Sequence, residues 1–309
     1  MSLPSRLGLS WQLLCRSLQV IRSEPHLLLF PLVSGVCTIA LALFFFAPFV
    51  WLLFSEIWWN PPDWMAVSEG LRQTTKEQAF DLFAKDIAGG FYAYGVLIYL
   101  TSLVTAVFFN VGFCHAVLRA LAGQRVSVRG SLRFALARWQ AILRWSLLAG
   151  TIGLLIQLAG GRLGWLGRLA LGVVGMAWSA AAVFAIPVII RREDGNPLAV
   201  LRDSTTTLKG TWGESVAGYV GIQGAGTFAV LALSGGAVAV AYGAAKFDLG
   251  WLVLSVAAGW LLGLIAVGAL CAMATHVYRC ALYVYATEGV VPGPFTAELM
   301  DAGWTVKTK

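Results

Sequence analysis

The chain has 309 residues, of which 59% are hydrophobic and only 12% are charged, about half the charged share of an ordinary soluble domain. A soluble fold of this length cannot cover so much apolar surface, so the composition excludes that class and predicts a single membrane domain over residues 1–309. The net charge of +7 lies mainly in loops and, without a recognisable nucleic-acid-binding module, indicates contact with anionic lipid headgroups and not with nucleic acid.

The first 26 residues predict a basic amphipathic helix that lies in the lipid headgroup region on the cytoplasmic side. Apolar side chains recur at steps of three and four, while Arg6, Arg16 and Arg22 lie largely off their stripe. The stripe consists of Leu3, Leu7, Trp11, Leu14, Leu18 and Ile21. The alternative is a helix packed on a protein partner.

Six charge-free runs then predict six membrane crossings, and the fold class is an all-α, polytopic transmembrane helical bundle. A crossing needs roughly 20 apolar residues. The first run starts too late and is too long for a cleavable signal, so it should remain as a span. The third run is at the lower length limit, which leaves open a re-entrant hairpin made by the third and fourth. The runs are 27–55, 87–118, 145–161, 169–190, 215–245 and 249–278.

The runs pair into three hairpins, and an amphipathic surface helix precedes each of them. Ser127 is the predicted cap of the second surface helix, and Asn196 with Pro197 starts the third. Their apolar stripes are Leu132, Leu136, Trp139 and Leu143, and then Leu198, Leu201, Thr205, Leu208 and Trp212. The predicted units are 27–118 for the first hairpin, 119–190 for the basic surface helix and second hairpin, 191–278 for the third surface helix and hairpin, and 279–309 for a cytoplasmic tail.

The external loop, residues 56–86, is predicted to contain an extracytoplasmic amphipathic helix. Trp58, Trp59 and Trp64 surround Pro61-Pro62, as in an aromatic belt followed by a rigid turn, and Asp63 offers a helix cap. The helix is interpreted either as a cover for the outer mouth of the bundle or as a lid or docking surface.

Orientation follows from the basic residues, because cytoplasmic loops collect Lys and Arg. Six arginines and no acid lie between Arg119 and Arg144, and most of the 22 Lys and Arg residues fall in the two terminal segments and the second and fourth loops. Both termini are therefore predicted to be cytoplasmic. The expected contacts with anionic lipid are Arg125, Arg129, Arg133, Arg138 and Arg144.

Few residues in the predicted spans can carry chemistry. No Asp, Glu, Lys or Arg lies near the middle of a span, which argues against transport coupled to carboxylates. Amides at this depth usually bond between helices, but they can also line a pore. The candidate pore-lining or interhelical residues are Asn110, Gln157, Gln223, His115 and His276. The two histidines lie near the cytoplasmic ends of spans, where interfacial hydrogen bonding competes with a pH-responsive gate.

No catalytic set, cofactor motif or metal-ligand spacing is found, so neither an enzyme nor a cofactor or metal site is expected. The five cysteines lie mostly in apolar runs without any C-x-x-C pair and are interpreted as small hydrophobes. Glycine is the most frequent special residue in the spans, and it is expected to allow close helix packing. The packing candidates are Gly218, Gly221, Gly224, Gly259 and Gly263.

Three motifs resemble a family of bacterial six-span membrane proteins catalogued as a domain of unknown function. They are the run from Tyr278 to Gly289 followed by Val291-Pro292 and Leu299-x-x-Ala302, the run Phe30-Pro31-x-x-Ser34-Gly35, and Phe109-Asn110-Val111. Val284 departs from the family pattern, in which a polar residue often stands at this position. The arrangement of surface helix and hairpin is also similar to the membrane portion of some glycerophosphodiesterases. The resemblance implies the six-span architecture and a location in a bacterial inner membrane, but no activity.

Two functions therefore remain open. The first is a non-enzymatic module that oligomerises or assembles with another membrane protein, as the glycine-rich spans suggest. The second is a channel or transporter for a lipid or small solute, as six spans with buried amides suggest. A membrane enzyme is a distant third, with His115 and His276 as its few candidates.

Overall fold

The computed structural model describes residues 3–59, 88–246, 250–297 and 300. Within these ranges the chain forms nine α-helices and no strand, which confirms the predicted all-α class. The helices are α1 (Leu3–Ser23), α2 (Leu29–Trp59), α3 (Ala88–Leu121), α4 (Val128–Ala137), α5 (Trp139–Arg162), α6 (Trp165–Ala181), α7 (Ala185–Arg191), α8 (Pro197–Lys246) and α9 (Gly250–Glu288). A short 3-10 turn, Pro25–Leu28, joins α1 to α2.

Six helical segments in the described part of the chain are long and apolar enough to cross a membrane, as the sequence predicts. They are Pro25–Pro48, Ala93–Leu121, Trp139–Gly161, Trp165–Arg191, Gly226–Ala244 and Gly250–Glu288. The third begins six residues earlier than the charge-free run suggested, at Trp139, and has 23 residues. Its length therefore gives no reason to expect a re-entrant hairpin.

Consecutive spans pack as hairpins, α2 on α3, α5 on α6 and α8 on α9. The second hairpin is joined to the first through α3 and α5, which approach closely at two glycines. A Cβ atom at Gly153 would lie 2.7 Å from the hydroxyl oxygen of Tyr99, and one at Gly150 would lie 2.8 Å from a methyl group of Leu100. Dispersion at such close contacts is what holds helices together when lipid, and not water, surrounds them.

The buried core lies at one end of the helices, and we call it the basal core. Helices α1, α4 and α7, the 3-10 turn and the C-terminal segment all contribute to it, together with the adjoining ends of the spans. Members from these elements include Leu13, Leu27, Val111, Val117, Ala135, Ile142, Phe184, Val188, Val277, Leu282, Phe295 and Met300. The N-terminal helix and the C-terminal segment therefore lie at the same end of the bundle.

Away from the basal core, the distal halves of the spans expose large apolar side chains. The most apolar stretch of α9 contains no buried residue, and Leu254 is 74% exposed. On α8, Phe228 is 75% exposed. Lipid is as apolar as these side chains, so such exposure is tolerated in a membrane, although it would be costly in water.

The predicted surface helices differ among the three units. Helices α1 and α4 are separate, whereas α8 runs unbroken through 50 residues, so the third amphipathic segment is the first part of a span helix. Both predicted caps are confirmed: Ser127 accepts the amide of Gly130 at 3.2 Å, and Asn196 accepts that of Leu198 at 3.1 Å. Trp139 belongs to α5, since Arg138 ends α4.

Helix α1 packs on the protein, against α8 and α9. Its buried residues include Leu14 and Ile21, which belong to the predicted stripe, but Trp11 from the same stripe is 60% exposed. One part of the apolar face of this helix is therefore buried in the basal core, and another part is exposed.

The fourth span is interrupted, which the sequence did not predict. Helix α6 ends at Ala181 and α7 begins at Ala185, and the side chain of Ser204 on α8 bonds to the backbone between them. Gly289 has a φ of +68° and closes α9 by bonding to the Tyr285 carbonyl at 3.0 Å. The predicted external helix and its cap Asp63 lie outside the described residues.

Candidate functional site

A groove runs along the first hairpin between α2 and α3, and we call it the lateral groove. Its wide part has a volume of about 460 Å³. A narrower part of about 160 Å³ shares Ser34, Phe109 and Asn110 with it and continues to α9, where Met273 and His276 line it. Residues of the wide part are Ser34, Thr38, Leu41, Ala42, Phe45 and Phe46 on α2, and Ile98, Ser102, Thr105, Ala106, Phe109 and Asn110 on α3.

Small side chains create the groove, and aromatic contacts hold it open at both ends. Ser34, Thr38 and Ala42 follow one another at steps of four, so they share one face of α2. At the distal end Tyr94 packs edge-on against Phe45, with ring centroids 5.8 Å apart, and donates a hydrogen bond to its carbonyl at 2.6 Å. At the basal end the rings of Phe30 and Phe113 meet at 5.6 Å.

The groove is open on its side. Thr38, Ala42, Ser102 and Ala106 line it and remain exposed in the part of the chain that the structure describes. Both helices are long and apolar enough to cross a membrane, in which this opening would face the region that lipid chains occupy. From Ile98 to Asn110 the groove extends about 18 Å along α3 at 1.5 Å per residue, close to the thickness of one leaflet of a hydrocarbon core of about 30 Å.

Most hydroxyl groups in the groove already donate within their own helices. Thr38 donates to the carbonyl of Ser34 at 2.8 Å, and Thr105 donates to that of Thr101 at the same distance. Ser34 donates to the carbonyl of Pro31 at 3.1 Å. These bonds satisfy the hydroxyl protons, so the three residues present only acceptor lone pairs and methyl or methylene groups to a ligand.

The basal end of the groove carries its most versatile polar groups. Asn110 makes no side-chain hydrogen bond to any residue that the structure describes, so its amide offers both donors and an acceptor. His276 lies on α9 in the narrow part, edge-on to Phe113 with centroids 5.9 Å apart. The predicted polar residues Asn110 and His276 are thus brought together from two spans.

The other predicted polar residues lie elsewhere. His115 belongs to the contact between α3 and α4, where its ring stacks on Phe134 at 4.1 Å and its Nδ1 lies 3.1 Å from the Ser131 hydroxyl. Gln157 is exposed on α5, away from the groove. Gln223 belongs to α8, but its side chain lies outside the described residues.

The predicted packing glycines also have different surroundings. A Cβ atom at Gly263 would lie 2.8 Å from a methyl group of Leu233, so this glycine permits the close contact of α8 with α9. Gly226 has the same role against Cys271. Gly224 and Gly259 face open space, and the surroundings of Gly218 and Gly221 lie outside the described residues.

The five predicted lipid-contacting arginines fall into two groups. Arg138 donates to the backbone carbonyl of Arg192 and lies 5.5 Å from the ring centroid of Phe134, and Arg144 lies beside Gly195. The others, Arg125, Arg129 and Arg133, are exposed.

An ion-pair cluster fixes the loop between α7 and α8. Arg192 bonds to both carboxylate oxygens of Asp194, at 2.5 and 2.7 Å, and also pairs with Asp203 on α8. The hydrogen bond from Arg192 lowers the pKa of Asp194, and the bonds to both carboxylates raise the pKa of Arg192. A second pair, Arg191 with Glu288, joins the end of α7 to the end of α9.

The hydroxyl residues of the groove were not among the predicted site residues, although their spacing was visible. Ser34 and Thr38 are four residues apart on α2, and Ser102 and Thr105 are three residues apart on α3, which places each pair on one helix face. What the sequence does not show is that the two faces oppose each other. No group of three or more His, Cys, Asp or Glu side chains able to hold a metal occurs among the described residues.

The chain is similar to a known family. A family profile described as "Family of unknown function (DUF6159)" matches residues 90–293, about two-thirds of the chain. The matched region contains Phe109-Asn110-Val111 and the closing motif from Tyr278 to Gly289. No curated protein and no solved structure matches the chain.

Proposed function

The chain belongs to this family of unknown function, DUF6159, and from that premise we propose that it is a non-enzymatic membrane carrier whose lateral groove takes up a lipid or lipid-like solute. The observation that supports the proposal is a laterally open groove within the spans that ends at Asn110 and His276. Its wide part, at about 460 Å³, falls within the range of about 300–1,000 Å³ that is usual for small-molecule sites.

The chemistry of the ligand can be inferred from the environment it leaves, which is the apolar interior of the bilayer. A hydrocarbon chain gains almost nothing from the hydrophobic effect when it moves from a bilayer into an apolar groove. Selectivity must therefore come from the polar end, where the Asn110 amide can donate and accept and His276 can do one or both. The ligand is one with an alkyl chain and a neutral hydroxyl, ester or amide at its end.

The orientation of the ligand rests on the proposed topology. We place the basal core on the cytoplasmic side of a bacterial inner membrane, with both termini there, because the arginine-rich segment between Arg119 and Arg144 lies at that end. Asn110 and His276 then lie at the end of the groove that is nearer the cytoplasm, where the polar part of a bound lipid would lie, and the chain of the lipid would follow the wide part of the groove.

A matched pair of substitutions tests the groove. Ala106→Phe puts an aromatic ring into the groove, whereas Ala239→Phe puts the same ring on an exposed position of α8. We expect native mass spectrometry of gently released protein to show one lipid-sized adduct fewer on Ala106→Phe than on the wild type and on Ala239→Phe. Equal adducts on both variants, or none on the wild type, would contradict the proposal.

A second candidate function is assembly with copies of the chain or with another membrane protein. The observation that favours it is the exposure of the distal halves of α8 and α9, where Gly224 and Gly259 leave open space into which a neighbouring helix can pack. The two functions are compatible, because the lateral groove lies on α2 and α3 and these glycines lie on α8 and α9.

A further inference from the structure

A second cavity lies between α3 and α4, outside the lateral groove, and we call it the α4 cavity. It is an open depression of about 700 Å³. One wall is apolar, with Phe108 from the α3 span and Leu132 and Leu136 from α4. The other wall is polar and basic, with Ser127, Gly130, Arg129 and Arg133.

The two arginines of the α4 cavity have no internal counter-charge. Neither Arg129 nor Arg133 makes an ion pair or side-chain hydrogen bond with any residue in the described part of the chain. No acid occurs in the sequence from Arg119 to Arg144. Like charges four residues apart on a helix repel each other, so an external anion held between them would remove a destabilising interaction.

The walls also determine what kind of anion fits. Phe108 is part of a membrane span, so the apolar wall adjoins the hydrocarbon region while the arginines lie at the interface. A small soluble anion would use only the basic wall. An anionic phospholipid would use both, with its phosphate between the guanidinium groups and the start of a chain along Phe108 and Leu136.

We propose that the α4 cavity is a binding site for the phosphate headgroup of an anionic phospholipid, held by Arg129 and Arg133. Guanidinium groups suit this ligand because their planar fork can give two parallel charge-assisted hydrogen bonds to phosphate oxygens. The structure separates these two arginines from the rest of the basic segment: Arg138 already donates to a backbone carbonyl, Arg144 lies beside Gly195, and Arg125 is outside the cavity. This site is independent of the lateral groove.

The test compares two double variants that remove the same charge. Arg129→Gln with Arg133→Gln alters the cavity, whereas Arg202→Gln with Lys209→Gln removes two exposed positive charges that do not line it. Each protein, in a neutral detergent, is titrated with phosphatidylglycerol and with phosphatidylcholine of the same chains, and adducts are counted by native mass spectrometry. We expect the cavity variant to bind phosphatidylglycerol about tenfold more weakly or worse, and the control to resemble the wild type.

Two further measurements distinguish a bound lipid from a soluble phosphate and show whether a loss of binding is due to misfolding. Leu136→Ser changes only the apolar wall, at a residue that is 62% exposed, and should weaken phosphatidylglycerol binding while the protein stays folded. Glycerol 1-phosphate should not displace the lipid at comparable concentration. Equal loss in both double variants, full binding by Leu136→Ser, or displacement by glycerol 1-phosphate would each overturn the proposal.

Discussion

The hydroxyl of Ser204 accepts a hydrogen bond from the backbone amide of Phe184 at 3.1 Å. The same hydroxyl donates to the carbonyl of Ala181 at 2.6 Å, so one side chain from α8 satisfies both sides of the break in the fourth span. Ser204 is fully buried there. Pro187, which follows the break, has no amide hydrogen to offer the carbonyl of Val183, so the helix cannot continue in the regular way.

Ser204→Ala should therefore destabilise the protein by about 1–3 kcal/mol, because a buried backbone amide and carbonyl both lose their partner. Thermal unfolding in detergent measures the change. Ser255→Ala is the control, since the Ser255 hydroxyl is exposed on α9 and bonds only within its own helix. Similar melting temperatures for the two variants would show that the break does not need Ser204.

A second prediction concerns the polar end of the lateral groove. Asn110→Leu keeps the approximate size of the side chain but removes its hydrogen-bonding groups, so ligand affinity should fall roughly fivefold for the loss of one bond worth about 1 kcal/mol. Gln157→Leu removes an amide that is exposed on α5 and should leave affinity unchanged. Titration of the lipid identified on the wild type, followed by native mass spectrometry, measures both. Unchanged binding by Asn110→Leu would remove this residue from the site.

A third prediction concerns the contact between the first and second hairpins. Gly153→Leu cannot be accommodated unless the Tyr99 side chain or α3 moves, and we expect a loss of about 1–3 kcal/mol, as for other over-packed sites. Gly161→Leu places the same side chain on the same helix in open space and should cost nothing. Adding Tyr99→Ala to Gly153→Leu should recover part of the lost thermal stability. A double variant with the same thermal stability as Gly153→Leu would show that the clash with Tyr99 is not the cause of the destabilisation.

The architecture was largely predictable from the sequence, because its signals are local. Six apolar runs, the caps at Ser127 and Asn196, and the helix end at Gly289 each depend on residues that lie next to one another in the chain. The break at 182–184 was predictable only in part. Pro187 is a local signal for a helix interruption, but the group that stabilises the break, Ser204, arrives from another helix.

The candidate site was predictable only in part. Asn110 and His276 could be selected because polar residues are rare in the spans, but nothing in the sequence distinguishes them from Gln157, which is exposed. The glycines show the same limit. Gly263 and Gly259 are one turn apart on α9, yet only at Gly263 would an added Cβ atom lie within 4 Å of another helix. The position of the neighbouring helix α8 determines which of the two glycines is in contact.

A fourth prediction concerns acid sensitivity of the Arg192 cluster. The pKa of Asp194 is lowered in the folded protein, so its ion pair contributes its full stabilisation at pH values above 3.8, the ordinary pKa of an aspartate. This stabilisation is lost as the pH falls through the lower pKa of the folded state. Thermal stability measured between about pH 5 and pH 2 should therefore fall less steeply in Asp194→Asn than in the wild type. Glu193→Gln, next to it but outside the ion pairs found among the described residues, should follow the wild type. Parallel curves for all three proteins would show that the pair does not contribute.

The fifth prediction tests whether the protein forms oligomers or is a monomeric carrier. If the open face of α9 packs on another copy, the wild type should be released from its own membrane as a multiple of 33.1 kDa, and Gly259→Leu should reduce it to one protomer, because a large side chain prevents close approach of the helices. Gly172→Leu is the matched control, because Gly172 also faces open space but lies on α6 in a different hairpin. Native mass spectrometry and cross-linking in the membrane give the two readouts. A wild type that is a single protomer by both measurements would contradict the assembly function. Loss of assembly in Gly172→Leu as well would show that the effect is not specific to the α9 surface.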